Sequence, residues 1–226
     1  MGTLLLRLAG PLQAWGQDSK FNIRQTAYEP SKSGVIGLLA AALGRRREEP
    51  LDDLAALRFG VRVMRQGQLL VDYHTVSRDP KPRPSENKTD YVTKRYYLSD
   101  ALFVAGLEGE DEAFLRRLSD ALWHPAFPLF LGRRSCPPVL PLCLGIQPLP
   151  LREALMQAEV PDQKRSRETW SGRLVIEAPP ADRDAALVRD QPVSFSHLKR
   201  EFAYRKAREE FIRPGEKHDA FGELEG

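Results

Sequence analysis

The sequence predicts an α+β fold, and three observations carry that expectation. Short apolar or alternating runs at 4–8, 59–65, 69–76 and 127–131 have the length and pattern of strands. Two longer stretches, 33–43 and 110–122, have the composition or spacing of helices. They occur in the order strand, helix, strand, strand, helix, strand, which is the ferredoxin-like split motif. RNA-recognition modules use that arrangement, as do many unrelated proteins, so the order alone assigns no function.

Each element has a local reason. Leu4 to Leu8 is apolar and ends at Gly10-Pro11; residues 11–30 read as a turn-rich loop. Pro30-Ser31-Lys32-Ser33-Gly34 opens the first helix, with Ser31 or Ser33 as its cap. Val35 to Leu43 propagates it, Gly44 ends it, and Arg45-Arg46-Arg47 follow at the carbonyl end, which favours cations. The free amides at the other end favour an anion such as phosphate, although an ordinary capped core helix accounts for the same residues. A second short helix is expected to start near Pro50-Leu51-Asp52-Asp53-Leu54. Phe59 to Arg65 alternates as a half-buried strand, Gln66-Gly67-Gln68 turns, and Leu69 to Val76 is the next strand. Residues 77–95 then carry Pro80, Pro82 and Pro84, much charge and few apolar groups, and cannot bury themselves. Apolar spacing resumes at Tyr96–Leu107, and Phe114, Leu115, Leu118 and Leu122 mark one side of a helix. Past residue 150, Leu151–Gln157 suits a helical turn or two, and Arg173–Ala178 and Val193–Phe195 suit strands. Phe202–Ile212 is ambiguous between a solvated helix and a strand.

Composition narrows the class. The chain has 226 residues, a net charge of +3 and a pI near 8.9, which leaves room for a local basic groove but not for a blanket of charge. No apolar run approaches the roughly 20 residues of a membrane span, and Met1-Gly2-Thr3-Leu4 lacks the charged start of a signal peptide. Cys136 and Cys143 are too few for a disulfide scaffold or a four-ligand zinc site. A cytoplasmic protein without membrane contact is expected.

Leu4–Gly16, Pro30–Leu39 and Leu131–Pro137, in this order, resemble the Cas-five family, subunits of the type I-E CRISPR Cascade complex within the repeat-associated RNA-binding superfamily. The resemblance runs from Leu4 to about Ile212 and includes Asp72–Val76, Arg95–Ala101 and Phe202-Ala203. It implies a ferredoxin-like RNA-binding domain over 1–148 with a projecting thumb at 77–95. It also implies a small β-rich C-terminal domain over 149–213, with Phe202–Ile212 as a strand. The tail 214–226 is polar and expected to be poorly ordered. The implied role is non-catalytic: binding and capping the 5′ handle of the CRISPR RNA in an RNA-guided antiviral surveillance complex. The implied partners are the CRISPR RNA, the CasC backbone subunit, the CasA large subunit and, through the complex, target DNA.

The residues that could carry RNA fall in three groups. Between Asp72 and Tyr97 six cations face four acids, with Tyr73, Tyr91, Tyr96 and Tyr97 interleaved, a pattern that suits phosphates and stacked bases. Taken alone, the pattern fits a solvated loop better than a binding element, because charged loops are common; the resemblance reverses that order. The resemblance gives Arg95 a base contact and makes Tyr73, His74, Arg78 and Lys94 its companions. Gly132-Arg133-Arg134-Ser135 combines a glycine with two arginines and a hydroxyl, and resembles the family's glycine-containing loop. Arg24, Thr26 and Lys32, with Ser33, stand where the family keeps polar or basic residues. Trp15 is expected to be exposed and is a secondary candidate.

No catalytic residue, metal site or cofactor is expected. A metal-free ribonuclease needs a group titrating near neutral pH, usually His with Tyr or Lys beside it. The chain has His74, His124, His197 and His218, and its Lys-His pair, Lys217-His218, lies in the tail. A related subtype I-C protein cleaves precursor RNA with a Tyr-Lys-His set; type I-E assigns cutting to CasE. A metal-independent endoribonuclease and a protein-only scaffold are the two alternatives.

Overall fold

A strand buried along its whole length organises the molecule. The computed structural model of the protein describes residues 1–16, 22–77, 90–161 and 172–211, and strand β1 (Gly2–Ala9) is buried at every position. Leu4, Leu6 and Leu8 join one apolar cluster, while Leu5 and Ala9 join a second. Successive strand side chains point to opposite faces, so this sheet is covered on both sides.

The remaining elements are β2 (Leu12–Gln13), β3 (Ile23–Arg24), α1 (Lys32–Ala42), α2 (Asp52–Ala55), β4 (Arg58–Arg65), β5 (Gln68–Ser77) and β6 (Asp90–Ser99). After them come β7 (Leu102–Gly109), α3 (Glu112–Trp123), β8 (Cys143–Gln147), α4 (Leu151–Gln157), β9 (Arg173–Glu177), β10 (Ala186–Ser194) and β11 (Glu201–Phe211). The result is a mixed α/β protein with mostly antiparallel sheets. The larger sheet has the order β10-β11-β9-β4-β7-β1-β8. Helices α1 and α3 cover the face of Leu4, Leu6 and Leu8; α4 covers the other. In the smaller sheet β6 pairs with β5 along its full length, from Gln68 opposite Ser99 to Ser77 opposite Asp90. The other edge of β6 takes β2 antiparallel and β3 parallel.

Two expectations change. Residues 127–131 are not a strand: Pro125 and Pro128 remove donors, and the Leu131 amide donates to the Cys136 carbonyl to close a turn. The strand beside β1 is β8, after the proline-rich stretch. Strand character resumes at Asp90 rather than Tyr96, because residues 90–95 pair antiparallel with Asp72–Ser77 of β5. Residues 78–89 and the tail 214–226 lie outside the described residues. Of the ambiguous stretch 202–212, residues 202–211 belong to β11, which with β9 and β10 extends the same sheet past β4; 212 lies outside the described residues.

That extension is locked to α1 by charge. Ser31 caps α1 by accepting from the Gly34 amide at 3.2 Å. The Lys32 amide donates to Asp190 Oδ2 on β10 at 2.7 Å. The same carboxylate accepts from Arg205 Nε and Nη2 on β11 at 2.6 and 2.9 Å. Lys32 Nζ pairs with Glu177 on β9 at 2.9 Å, and the Arg205 guanidinium lies 5.3 Å over the Phe59 ring. Lys32, Asp190 and Arg205 are all buried. Burial lowers the Lys32 pKa, and Glu177 opposes the shift. The anion expected at this helix end is therefore the protein's own carboxylate. On the other face, Arg62 Nη1 donates to the carbonyls of Leu155 and Met156 at 2.9 and 2.7 Å, capping α4. Burial pushes the Arg62 guanidinium down to about 10, so it stays charged at neutral pH.

Removing Asp190 leaves a buried arginine and a helix end without their shared acceptor. Asp190→Ala is expected to cost about 3–5 kcal/mol in urea unfolding, and Asp190→Asn less, because an amide oxygen still caps. A cost for Asp190→Ala within about 0.5 kcal/mol, the usual surface value, would contradict the lock.

Candidate nucleic-acid interface

The register of the smaller sheet sorts the expected residues onto two faces. Arg24, Arg95 and Asp72 are in register across β3, β6 and β5, so they share a face, with His74 opposite Thr93 one step along. Ile23, Lys94 and Tyr73 are likewise in register and occupy the other face. Arg24, Tyr73, His74 and Lys94 are exposed. Arg95 is half-buried, and its Nε is shielded from solvent without a hydrogen-bond partner among the described residues. A buried donor left open in this way suits a ligand acceptor. Arg78 lies outside the described residues.

The loop at Gly132 is held by two buried anchors, Leu131 and Cys136. Between them Arg134 and Ser135 are exposed and point no ion pair at the described residues, whereas Arg133 turns inward. Arg133 donates to the carbonyls of Tyr96 at 3.0 Å and Arg24 at 2.8 Å, and its guanidinium covers the Tyr97 ring at 4.7 Å. It thus ties β6 to β3 on the face of Arg24 and Arg95, and most of its donors are already used. Gly132 is needed for packing rather than for ligand approach: its φ is +85°, and a Cβ there would sit 1.7 Å from the Ala14 carbonyl oxygen.

Three further expectations are corrected. Lys32 is buried against Glu177 and cannot reach a phosphate. The Thr26 hydroxyl accepts from the Trp15 amide at 2.8 Å and donates to the Ala27 carbonyl, so it holds a turn. Trp15 is fully buried; its Nε1 donates to Gln13 Oε1 at 3.1 Å. A long loop needs an anchor, and tryptophan supplies the largest apolar surface for one. Ser33 is half-buried and lines a groove that local reading did not find.

This groove lies between α1, the 127–134 segment and the turn after β10. Its walls include Gly37, Phe127, Phe130 and Phe195, and its rim includes Arg46, Arg47, Arg134 and Arg200. Arg45 also lines it but is bound by Asp53, with Nη1 at 2.6 Å from Oδ1. The sequence signal was the Arg45-Arg46-Arg47 triplet, which read only as a helix exit. Among the described residues no group of His, Cys, Asp and Glu is arranged to hold a metal ion, and no helix is long and apolar enough to cross a membrane.

The two loop arginines should therefore separate in mutagenesis. Arg133→Ala is expected to lower stability by about 1–3 kcal/mol, the range for losing hydrogen bonds to a charged group. Arg134→Ala should stay within about 0.5 kcal/mol of wild type. Thermal melts of the two single variants check this, and equal melts would contradict the assignment.

Comparison with known proteins bears on the family and the fold. The family model for CRISPR-associated protein (Cas_Cas5) matches residues 3–208. The chain is 38% identical over 158 residues to the CRISPR system Cascade subunit CasD of Escherichia coli (strain K12), covering 63% of this chain and 70% of that protein. A chain of a solved CRISPR RNA-guided surveillance complex is similar at a TM-score of 0.74 and 35% identity, over 94% of this chain and 90% of that one. A crystal structure of a Cas protein is similar at 0.63 and 42% identity, over 93% and 94%. With the match running from the first strand to the last, this chain belongs to the CRISPR-associated Cas5 family.

Proposed function

We propose that this chain is a non-catalytic subunit of a CRISPR RNA-guided surveillance complex and caps the 5′ handle of the guide RNA. The observation that carries the reading is the face of β3, β5 and β6, where Arg24 and Arg95 stand in register above Arg133, with the Arg95 Nε unpartnered among the described residues. One acid, Asp72, shares the registered row, so the face favours phosphate. Arg133 sets the spacing, and Arg24 and Arg95 meet the RNA; Arg guanidinium can both stack on a base and donate bidentately. His74 lies beside them, and Tyr73 and Lys94 present the opposite face of the same hairpin to RNA or to a neighbouring subunit.

The fold supports this role. The order β4-β7-β1-β8 with α1 and α3 on one face fits the ferredoxin-like split motif. On this reading the β5–β6 hairpin is the thumb, and the likeness to the Cascade subunit CasD makes CasC-type and CasA-type subunits its protein partners. Target DNA is met through the assembled complex. No cofactor enters the proposal.

Arg24→Ala with Arg95→Ala is expected to weaken retention of labelled repeat RNA. The double variant should also flatten the logarithmic salt dependence by about 0.7 per lost phosphate contact. Thermal melts should stay near wild type, and an unchanged slope would remove these arginines from the interface. The wild-type protein is expected to leave its own repeat RNA uncut, and His74→Ala is expected to leave guide maturation unchanged. A true catalytic histidine typically contributes a factor of about 10² to 10⁴. Specific metal-independent cleavage that disappears in His74→Ala would identify a maturation endoribonuclease instead.

A further inference from the structure

We infer that the free chain pairs with a second copy of itself through the open edge of β5, the two strands running antiparallel with Tyr73 opposite Tyr73. The inference concerns the edge of the hairpin rather than its RNA face, and it stands apart from the RNA reading.

The edge is open and unguarded. Strand β5 pairs with β6 on one side and with no strand among the described residues on the other. The Lys94 amide donates to the Asn22 carbonyl at 2.8 Å, away from β5. Tyr73, opposite Lys94, therefore sits in a pair that exchanges no backbone bonds with β6. By alternation Leu69, Val71, Tyr73 and Thr75 turn their N–H and C=O groups to the open side. Natural edges are blunted by lysine, proline or a bulge. The stretch Gln68–Ser77 has no lysine, arginine or proline, and its register with β6 runs without a bulge. Leu69, Leu70, Val71, Tyr73 and Val76 are 42–61% exposed, so apolar side chains flank the edge on both faces.

The strand's own sequence selects the occupant. Opposed residues share a face, so a two-fold axis must pass through a residue and not between two. With the axis at Tyr73, Asp72 stands opposite the second copy's His74, and His74 opposite its Asp72. Leu70 meets Val76, Val71 meets Thr75, and Tyr73 meets Tyr73. Apolar, β-branched, aromatic and acid–histidine pairs of this kind stabilise a sheet. An axis at Asp72 would set two carboxylates against each other. An axis at Val71 or His74 would set Asp72 against Leu70 or Val76. The pattern therefore favours one register.

Other occupants fit less well. The edge carries one acid and no lysine or arginine, so it does not attract phosphate. A strand of another protein would satisfy the backbone groups, whereas this sequence reversed on itself also pairs both Asp72 carboxylates. A strand edge alone buries less than the roughly 1,200 Å² at which stable interfaces begin, so the dimer is weak and concentration-dependent. It covers an edge that would otherwise template aggregation.

The test uses the nuclease-treated full chain, free of other subunits, in sedimentation velocity over a series of concentrations. A reversible monomer–dimer equilibrium is expected. Thr75→Lys, which charges the edge, and Val71→Pro, which removes an outward donor, are each expected to weaken the dimer about tenfold or more. Should Val71→Pro disturb the hairpin, Thr75→Lys serves alone, since Thr75 is exposed. His74→Asp should weaken the dimer likewise by opposing Asp72 with a second carboxylate, and Asp72→His combined with His74→Asp should restore it. Under mild oxidation Tyr73→Cys is expected to give a disulfide-linked dimer, because hydrogen-bonded cross-strand Cα atoms lie about 5.5 Å apart, within disulfide reach. Val71→Cys should not link, and the native Cys136 and Cys143 are buried. Linkage through Val71→Cys instead, or a dimer untouched by Thr75→Lys, would overturn the pairing. So would a monomer at every concentration, or association seen only before nuclease treatment, which RNA would bridge.

Discussion

One carboxylate holds the architecture together. Asp190 stands on β10, far along the chain from α1, yet it takes the Lys32 amide and the Arg205 guanidinium at once. Without it the first amides of α1 would need water or a ligand, and a buried arginine would stand uncompensated. With it, the β9–β11 strands are fixed to the helix that also lines the groove. Lys32 and Glu177 close the same junction from β9. These are buried charges, so their stability comes from mutual pairing; removing one partner costs far more than the pair itself contributes.

The same logic divides the arginines. Arg62, Arg133 and Arg205 spend their donors on protein carbonyls or carboxylates and shape the fold. Arg45 is taken by Asp53 and Arg58 by Glu108. Arg24, Arg46, Arg47, Arg134 and Arg200 remain exposed with their charge uncompensated by an ion pair among the described residues. A net charge of +3 therefore conceals two local basic surfaces, one on the hairpin sheet and one at the groove. Distribution rather than total charge decides whether phosphate is attracted.

Much of this was legible in the sequence. The apolar β1, the capped α1, the alternating β4 and the amphipathic α3 each announce themselves by local pattern. The resemblance added the hairpin and the Gly132 loop as places to look. What could not be read depended on distant partners. Lys32 looks free until Glu177 arrives from β9, and Arg133 looks like a phosphate ligand until its carbonyl acceptors on β3 and β6 are known. Trp15 was hidden for the same reason, since its pocket is made by the first turn of α1. Strand β8 escaped notice because prolines interrupt the approach to it, and the charges of β11 obscured a strand whose Arg205 is neutralised by Asp190 and whose Arg208 pairs with Asp182.

The central claim is that the hairpin sheet and the Gly132 loop contact the 5′ handle of a guide RNA. The most direct measurement assembles the full complex on a guide carrying 4-thiouridine in its handle and maps the photo-crosslinked peptides by mass spectrometry. The account predicts adducts on the peptides containing Arg24, Arg95 and Arg134. Adducts confined to the outer strands β10 and β11 away from the groove, or none on this chain while neighbouring subunits crosslink well, would contradict it.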